Sequence, residues 1–227
     1  MDSGAEPESF SALLKRSTHD LHVAAERSGF IADMLQGRAG VPDYVLYLRN
    51  LLPAYQQLEL GLVRLRDTPL LADFALEPLY RAPALAADLD TLWGPTWEAD
   101  LPILSAAQSY ADGIARAAGG RGEQLIGHAY VRYLGDLNGG QVLKRLLSRS
   151  LDLPPERLSF YDFPAIDDLP AFKQAYRDAL DRSGGRLANR EAVIDAARWA
   201  FARNIEVSMA VAARPRSDGR PRETRRA

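Results

Sequence analysis

Residues 128–141 of this sequence read HAYVRYLGDLNGGQ, and this glycine segment is the most informative part of the chain. Its flanks have helical apolar spacing, yet each of its three glycines costs about 1 kcal/mol relative to alanine inside a helix. Gly135 and Gly139 are four residues apart and share a helix face, where bare backbone fits against a flat ligand. Arg132 and Asp136 have the same spacing and can hold a polar network beside that face. A helix kink or tight helix packing explains the glycines equally well.

Apolar residues recur at three- and four-residue steps along the rest of the chain, and no run shows the sustained alternation of a strand. The sequence therefore predicts an all-α fold, a single-domain bundle of about seven to eight helices with a pocket between helices. Pro53 is expected to kink its helix, because proline lacks the backbone donor. The predicted helices span residues 9–28, 42–66, 74–93, 103–118, 121–150, 168–182 and 188–212, with a loop over 152–168.

Composition narrows the possible functions. The chain has 227 residues, of which 47% are hydrophobic and 26% charged, enough for a core that encloses a ligand pocket. A formal net charge of −2 argues against a protein whose whole body binds nucleic acid or anionic lipid. The absence of cysteine excludes disulfides, thiolate ligands and iron–sulfur clusters. Any metal must therefore be bound by histidine or oxygen.

The termini differ from the body of the chain. Residues 1–8 are predicted to be a flexible N-terminus without the apolar core of a signal peptide, and residues 214–227 a disordered arginine-rich tail. Residues 9–213 form the expected helical domain. No apolar run reaches the length of a membrane span, so we expect a cytoplasmic protein without a membrane anchor, and a monomer.

The chain has only three histidines, at positions 19, 22 and 128. His19 and His22 lie about 60° apart around one helix, so they can face one cavity or chelate one ion. The Glu-x-x-His pairs of di-iron bundles and the H-E-x-x-H motif of zinc hydrolases are absent. The interpretation that remains is a site in which a single histidine binds a metal and neighbouring side chains orient that histidine.

Polar residues surround His22 on one stripe of the first helix. Glu26 follows one turn later and can fix which ring nitrogen faces a metal. Lys15 precedes His22 by about 10 Å along the helix axis, roughly the distance from a haem iron to its propionate edge. The stripe consists of Lys15, Thr18, His22 and Glu26.

Taken together, these segments resemble the haem oxygenase family from about residue 10 to 210. Residues 14–26 resemble the proximal helix of that family, and the glycine segment resembles its distal helix. Shorter similarities follow in family order. They are Tyr55, Phe163-Pro164, residues 172–177 and residues 200–205.

The resemblance implies a role for each matching residue. It makes His22 the iron ligand and gives His128 a structural role. Two positions differ from the family: His19 stands where the family does not keep a histidine, and Asn138 stands where it often has serine. The implied haem-binding residues are Lys15, Thr18, His22, Glu26, Tyr130, Gly135, Gly139, Lys173, Arg177 and Phe201. The implied catalytic residues, around a network of waters, are Tyr55, Arg132, Gly135, Asp136, Gly139 and Asn204.

The activity that the resemblance implies is the oxidative cleavage of haem, which is both cofactor and substrate. Cleavage at a meso carbon, by analogy the alpha carbon, gives biliverdin, carbon monoxide and ferrous iron. It consumes O2 and electrons from a reductase or ferredoxin, whose docking is expected near Lys144 and Arg145, although a solvated face explains Lys144 almost as well. A non-catalytic haem carrier or sensor on the same fold is the alternative. A helical scaffold, or a metal protein using His19, His22 and Glu26, is a third possibility.

Overall fold

The computed structural model describes residues 8–214, and in this range the chain is built from helices and loops without strands. The predicted flexible N-terminus and arginine-rich tail lie outside the described residues, apart from residues 8 and 214. The α-helices are α1 Phe10–Glu26, α2 Gly29–Leu35, α3 Val41–Leu65, α4 Ala82–Trp93, α5 Trp97–Asp100, α6 Ser105–Ala117, α7 Gln124–Ala129, α8 Gly135–Ser150, α9 Leu169–Gly184 and α10 Arg190–Ala212.

The all-α prediction is confirmed, but the helix predicted at 74–93 is wrong over its first half. Helix α4 begins only at Ala82, after a 3₁₀ turn at Glu77–Leu79. Its start is set by Glu59 of α3, whose carboxylate accepts hydrogen bonds from the backbone N–H groups of Arg81 at 2.5 Å and Ala82 at 3.1 Å. These N–H groups have no partner within their own helix, so a side chain from another helix satisfies them.

Two other predictions differ from the structure. The short helix α2 was not among the predicted helices. The helix predicted at 121–150 is divided, because a π-helical turn at Tyr130–Leu134 separates α7 from α8. The backbone stays helical through both junctions. Pro53 lies inside α3, which continues through it, and the kink there stays a prediction.

Helix α10 is the centre of the bundle. It packs against α1, α2, α3, α6 and α7. The contact with α7 is very close at Gly127, where an added Cβ would lie 2.4 Å from the carbonyl oxygen of Val193. This contact fixes the start of the glycine segment against α10. Within residues 8–214, none of the helices combines the length and the apolar character needed to cross a membrane.

Candidate functional site

A cavity of about 680 Å³ lies between α1 and the glycine segment. Its size is typical of small-molecule and cofactor sites. Helix α9 contributes Arg177 and α10 contributes Phe201. The remaining wall comes from α1, with Ser11, Ala12, Lys15, Thr18, His19 and His22, and from the glycine segment, with Tyr130, Val131, Leu134, Gly135, Asn138 and Gly139.

The glycine segment presents bare backbone to this cavity. Apart from its own stretch of helix, a Cβ added at Gly135 or Gly139 would have no atom within 4 Å, because both positions open into the cavity. Gly140 differs, since its Cβ would lie 3.2 Å from the ring of Tyr161. Gly135 and Gly139 therefore face the cavity, whereas Gly140 allows close packing against Tyr161. The π-helical turn just before Gly135 was not predicted; such turns often occur at functional sites.

The opposite wall carries His22, whose side chain is 55% exposed. Its Nδ1 lies 3.7 Å from Oε1 of Glu26, and its ring meets the ring of Phe201 edge to face at 5.9 Å. With Nδ1 directed toward the carboxylate, Nε2 is the nitrogen available to a metal. Glu26 thus lies behind the histidine rather than on the cavity wall. The buried Thr18 hydroxyl donates to the Leu14 carbonyl at 2.8 Å.

Two cations share the cavity, Lys15 on α1 and Arg177 on α9. Tyr130 lies between these helices on the glycine segment; burial raises the pKa of its phenol, while Thr18 and the Arg177 charge partly oppose this. On the same helix α9, Lys173 is not one of the residues that line the cavity. The structure thus brings together Lys15, Tyr130 and Arg177 but not the Lys173 that was expected beside them. Such a wall favours an anionic ligand.

Behind the glycine segment lies a buried polar network centred on Arg132. Its Nε and Nη2 donate to the Tyr55 hydroxyl oxygen at 2.9 and 2.8 Å, and its Nη1 donates to Oδ1 of Asn204 at 2.6 Å. The Tyr55 O–H in turn donates to Oδ2 of Asp136 at 2.5 Å. The four residues predicted for the catalytic network are therefore joined by hydrogen bonds.

The electrostatics of this network centre on Asp136. Burial raises the pKa of its carboxyl, while the Arg132 charge and the Tyr55 hydrogen bond oppose that rise. Its Oδ1 lies 3.6 Å from Nη2 of Arg132, longer than a hydrogen bond, so this oxygen can accept a hydrogen bond from water. Because Gly135 and Gly139 on either side line the cavity, Asp136 is well placed to order water at its edge.

The sequence analysis missed a second buried carboxyl, Glu59, one helical turn after Tyr55 on α3. Besides binding the start of α4, it lies close enough to Arg81 and Asp136 for both charges to affect it. Burial is the largest cause and raises the pKa of Glu59 to about 7. An acid at an otherwise apolar position of α3 was the only available signal in the sequence.

We expect Glu59→Gln to stabilise the protein above neutral pH. The unfolded carboxyl releases its proton near its ordinary pKa of 4.5, the folded one only near 7. The stability contributed by Glu59 is therefore complete below about pH 4.5 and lost as pH rises through 7. Glutamine stays neutral and keeps an oxygen for the two backbone donors, so its advantage at pH 8 is about 3 kcal/mol. Urea unfolding of both proteins at pH 4.5 and pH 8 measures this difference in the free energy of unfolding.

The comparison is insensitive to His128, another buried group whose pKa is strongly shifted. Burial lowers the pKa of this histidine to about 4, so its contribution to stability is lost as pH falls, in both proteins alike. A difference between Glu59→Gln and the parent that is the same at pH 4.5 and pH 8 would contradict the account of Glu59.

His128 is buried away from the cavity, with its ring 5.6 Å from that of Trp199, and the structural role predicted for it stays a prediction. Among residues 8–214, no three His, Asp or Glu side chains converge on a possible metal position. This finding disfavours a metal protein built on His19, His22 and Glu26.

The predicted donor-docking residues lie on α8. Lys144 is only 15% exposed, because its Nζ binds both carboxylate oxygens of Asp162 at 2.6 Å. Arg145 is exposed. Lys144 therefore ties α8 to the loop before α9, and Arg145 is the residue of this pair that is open to a partner.

Comparisons with known proteins show which family this chain resembles along most of its length. A family model described as "Heme oxygenase" matches residues 8–210. The chain is 36% identical to human heme oxygenase 1 over 204 residues, covering 88% of this chain and 71% of the human protein. It is 34% identical to heme oxygenase 1 of Synechocystis over 197 residues, covering 87% and 82%. The crystal structure of the Synechocystis protein in complex with heme superposes with a TM-score of 0.83 at 32% identity, covering 90% of this chain and 92% of that one.

Proposed function

Because this chain belongs to the haem oxygenase family, we propose that it holds haem in the cavity between α1 and the glycine segment, with His22 as the iron ligand. The chain is a haem-degrading enzyme, and the carrier or sensor alternative is not favoured. One observation carries the proposed site: bare backbone at Gly135 and Gly139 lines the same cavity as the imidazole of His22.

The residues present fit haem. A flat macrocycle needs a wall without side chains, which Gly135 and Gly139 provide. Its iron needs a neutral nitrogen ligand, and the contact with Glu26 leaves Nε2 of His22 free for that role. Its two carboxylates need cations, which Lys15 and Arg177 supply. Lys173, away from the cavity wall, is a weaker candidate.

When bound, haem supplies both the iron that activates dioxygen and the carbon that is oxidised. The chain supplies position and protons. Arg132 holds the Tyr55 hydroxyl, and Tyr55 holds one carboxylate oxygen of Asp136. The other oxygen orders a water at the cavity edge, and protons pass through that water to the site of reaction. Asn204 fixes the orientation of the Arg132 guanidinium.

The glycine segment also restricts which carbon reacts. Its backbone lines the cavity at Gly135 and Gly139, where it would cover part of a bound macrocycle and leave another part open. Lys15 and Arg177 would fix the orientation of the carboxylate edge, so we propose that cleavage is restricted to a single meso carbon. By analogy with the family, this is the alpha carbon.

Turnover of the haem complex tests the proposal. With ascorbate or a reductase in air, the complex is expected to lose its Soret band and to produce biliverdin and carbon monoxide. Stable haem under the same conditions would instead indicate a carrier or sensor. The electron donor is proposed to dock beside Arg145. A cytoplasmic location and a monomeric state stay predictions.

A further inference from the structure

Asn138 lies on the cavity wall but has no part in the proposed function. It precedes Gly139 on α8 and is exposed, whereas Asp136 two residues earlier is buried. At 3.6 residues per turn, Asp136 and Asn138 project about 80° to either side of the two cavity-facing glycines. The polar network therefore lies on one side of the bare backbone, and the Asn138 amide lies on the open side of the same wall.

The side-chain amide of Asn138 has no hydrogen-bond partner within residues 8–214. Asparagine is a weak helix former, because its short amide competes for backbone hydrogen bonds. An exposed asparagine in the middle of a helix therefore contributes little to the fold. The amide has one acceptor oxygen and two N–H donors, and all of them are open to a ligand in the cavity.

Haem itself would offer this amide no partner. Its carboxylates are assigned to the end of the cavity that holds Lys15, Tyr130 and Arg177. Asn138 comes eight residues after Tyr130, about 12 Å farther along the helix axis. Away from the carboxylates, the edge of the macrocycle carries hydrocarbon groups, and its four nitrogens face the iron. Opening of the ring adds polar groups, because biliverdin has two terminal lactams, each with an N–H beside a C=O.

We propose that Asn138 is a product-recognition residue whose amide pairs with a terminal lactam of biliverdin. The inference rests on the proposed function and extends it from the substrate to the product. A primary amide and a lactam are complementary, because each offers an N–H donor beside a carbonyl acceptor, so two hydrogen bonds form together. A serine hydroxyl cannot make this paired contact. The Asn138 amide thus stabilises the bound product without stabilising the bound substrate, and it slows product release.

Biliverdin and iron-free protoporphyrin IX are the two probes, because both carry two carboxylates and only biliverdin carries lactams. Titrations compare the parent with Asn138→Ala and Asn138→Leu. The paired contact at this exposed position contributes about 1 kcal/mol, which is about fivefold in affinity. We therefore expect both variants to bind biliverdin about fivefold more weakly than the parent and to bind protoporphyrin within about twofold. Stopped-flow displacement of biliverdin should be faster in the variants by about the same factor.

Val142→Ala is the matched control, since Val142 follows one turn later on α8, is 55% exposed and does not line the cavity. It is expected to leave both affinities unchanged. An equal loss of affinity for the two probes in the Asn138 variants would make Asn138 an ordinary wall contact. That result, or an unchanged affinity for biliverdin, would overturn the inference and leave the proposed function intact. Failure of the parent to bind protoporphyrin would overturn both.

Isotope-edited infrared spectroscopy of bound biliverdin tests the lactam contact itself. A hydrogen bond to the lactam oxygen lowers the frequency of the C=O stretch. We expect one lactam band to lie at lower frequency in the parent than in Asn138→Leu, whose side chain is similar in size but cannot form hydrogen bonds. Identical lactam bands in the two proteins would overturn the inference.

Discussion

Asp136→Ala is expected to bind haem within about twofold of the parent and to form biliverdin about 100-fold more slowly. The binding is retained because Asp136 lies behind the cavity wall rather than on it. The rate falls because the carboxylate that orders the proton-delivering water is gone, and a positioned proton-transfer group contributes about 10²- to 10⁴-fold. Single-turnover biliverdin formation from a preformed haem complex measures the effect separately from binding.

Asp88→Ala is the matched control for this change. Asp88 is likewise a buried aspartate on a helix, but its carboxylate accepts hydrogen bonds from the backbone N–H groups of Ser159 and Phe160, and it is not one of the four residues hydrogen-bonded around Arg132. Its removal is expected to lower stability by about 1–3 kcal/mol and to leave turnover per bound haem unchanged. If Asp136→Ala formed biliverdin at the parent's rate, Asp136 would have no role in proton delivery.

Gly139→Leu is expected to stabilise the free protein and to weaken haem binding. Leucine favours a helix over glycine by about 1 kcal/mol, and nothing stands within 4 Å of a Cβ at this position. The same side chain projects into the space assigned to the macrocycle. Overpacking of about 1–3 kcal/mol corresponds to a loss of affinity of about 5- to 150-fold. Thermal unfolding and haem titration on one preparation measure both effects.

The neighbouring Gly140 provides the control, because its Cβ would lie 3.2 Å from the Tyr161 ring, outside the cavity. Gly140→Leu is expected to destabilise the protein while haem affinity stays close to that of the parent. If Gly139→Leu bound haem normally, the macrocycle would have to lie elsewhere.

Helical periodicity predicted the wall of the site well where one helix determines it. Spacing alone placed Lys15, Thr18, His22 and Glu26 on one stripe. The first three line the cavity, whereas Glu26 lies behind His22.

On α9 the expectation came from the family resemblance and not from spacing. Lys173 and Arg177 are four residues apart and share a helix side, yet only Arg177 lies on the described cavity wall. Packing against other helices decides which part of a helix reaches the cavity. The spacing of apolar residues does not give this information.

The errors in the fold have a similar origin. The start of α4 depends on hydrogen bonds to Glu59, a residue 22 positions earlier than Arg81 on another helix. The spacing of apolar residues does not indicate the π-helical turn at Tyr130–Leu134. Only the backbone of the structure shows it. At the start of α4, a contact between distant residues therefore overrides local propensity.

The axial ligand is the central claim, and a hemin titration of His22→Ala followed by addition of imidazole tests it most directly. The account predicts that the variant lacks the histidine-ligated spectrum and that imidazole restores it, because a small ligand can then occupy the space left by the side chain. His19→Ala should keep the parent's spectrum throughout. A histidine-ligated spectrum retained by His22→Ala and lost in His19→Ala would contradict the account.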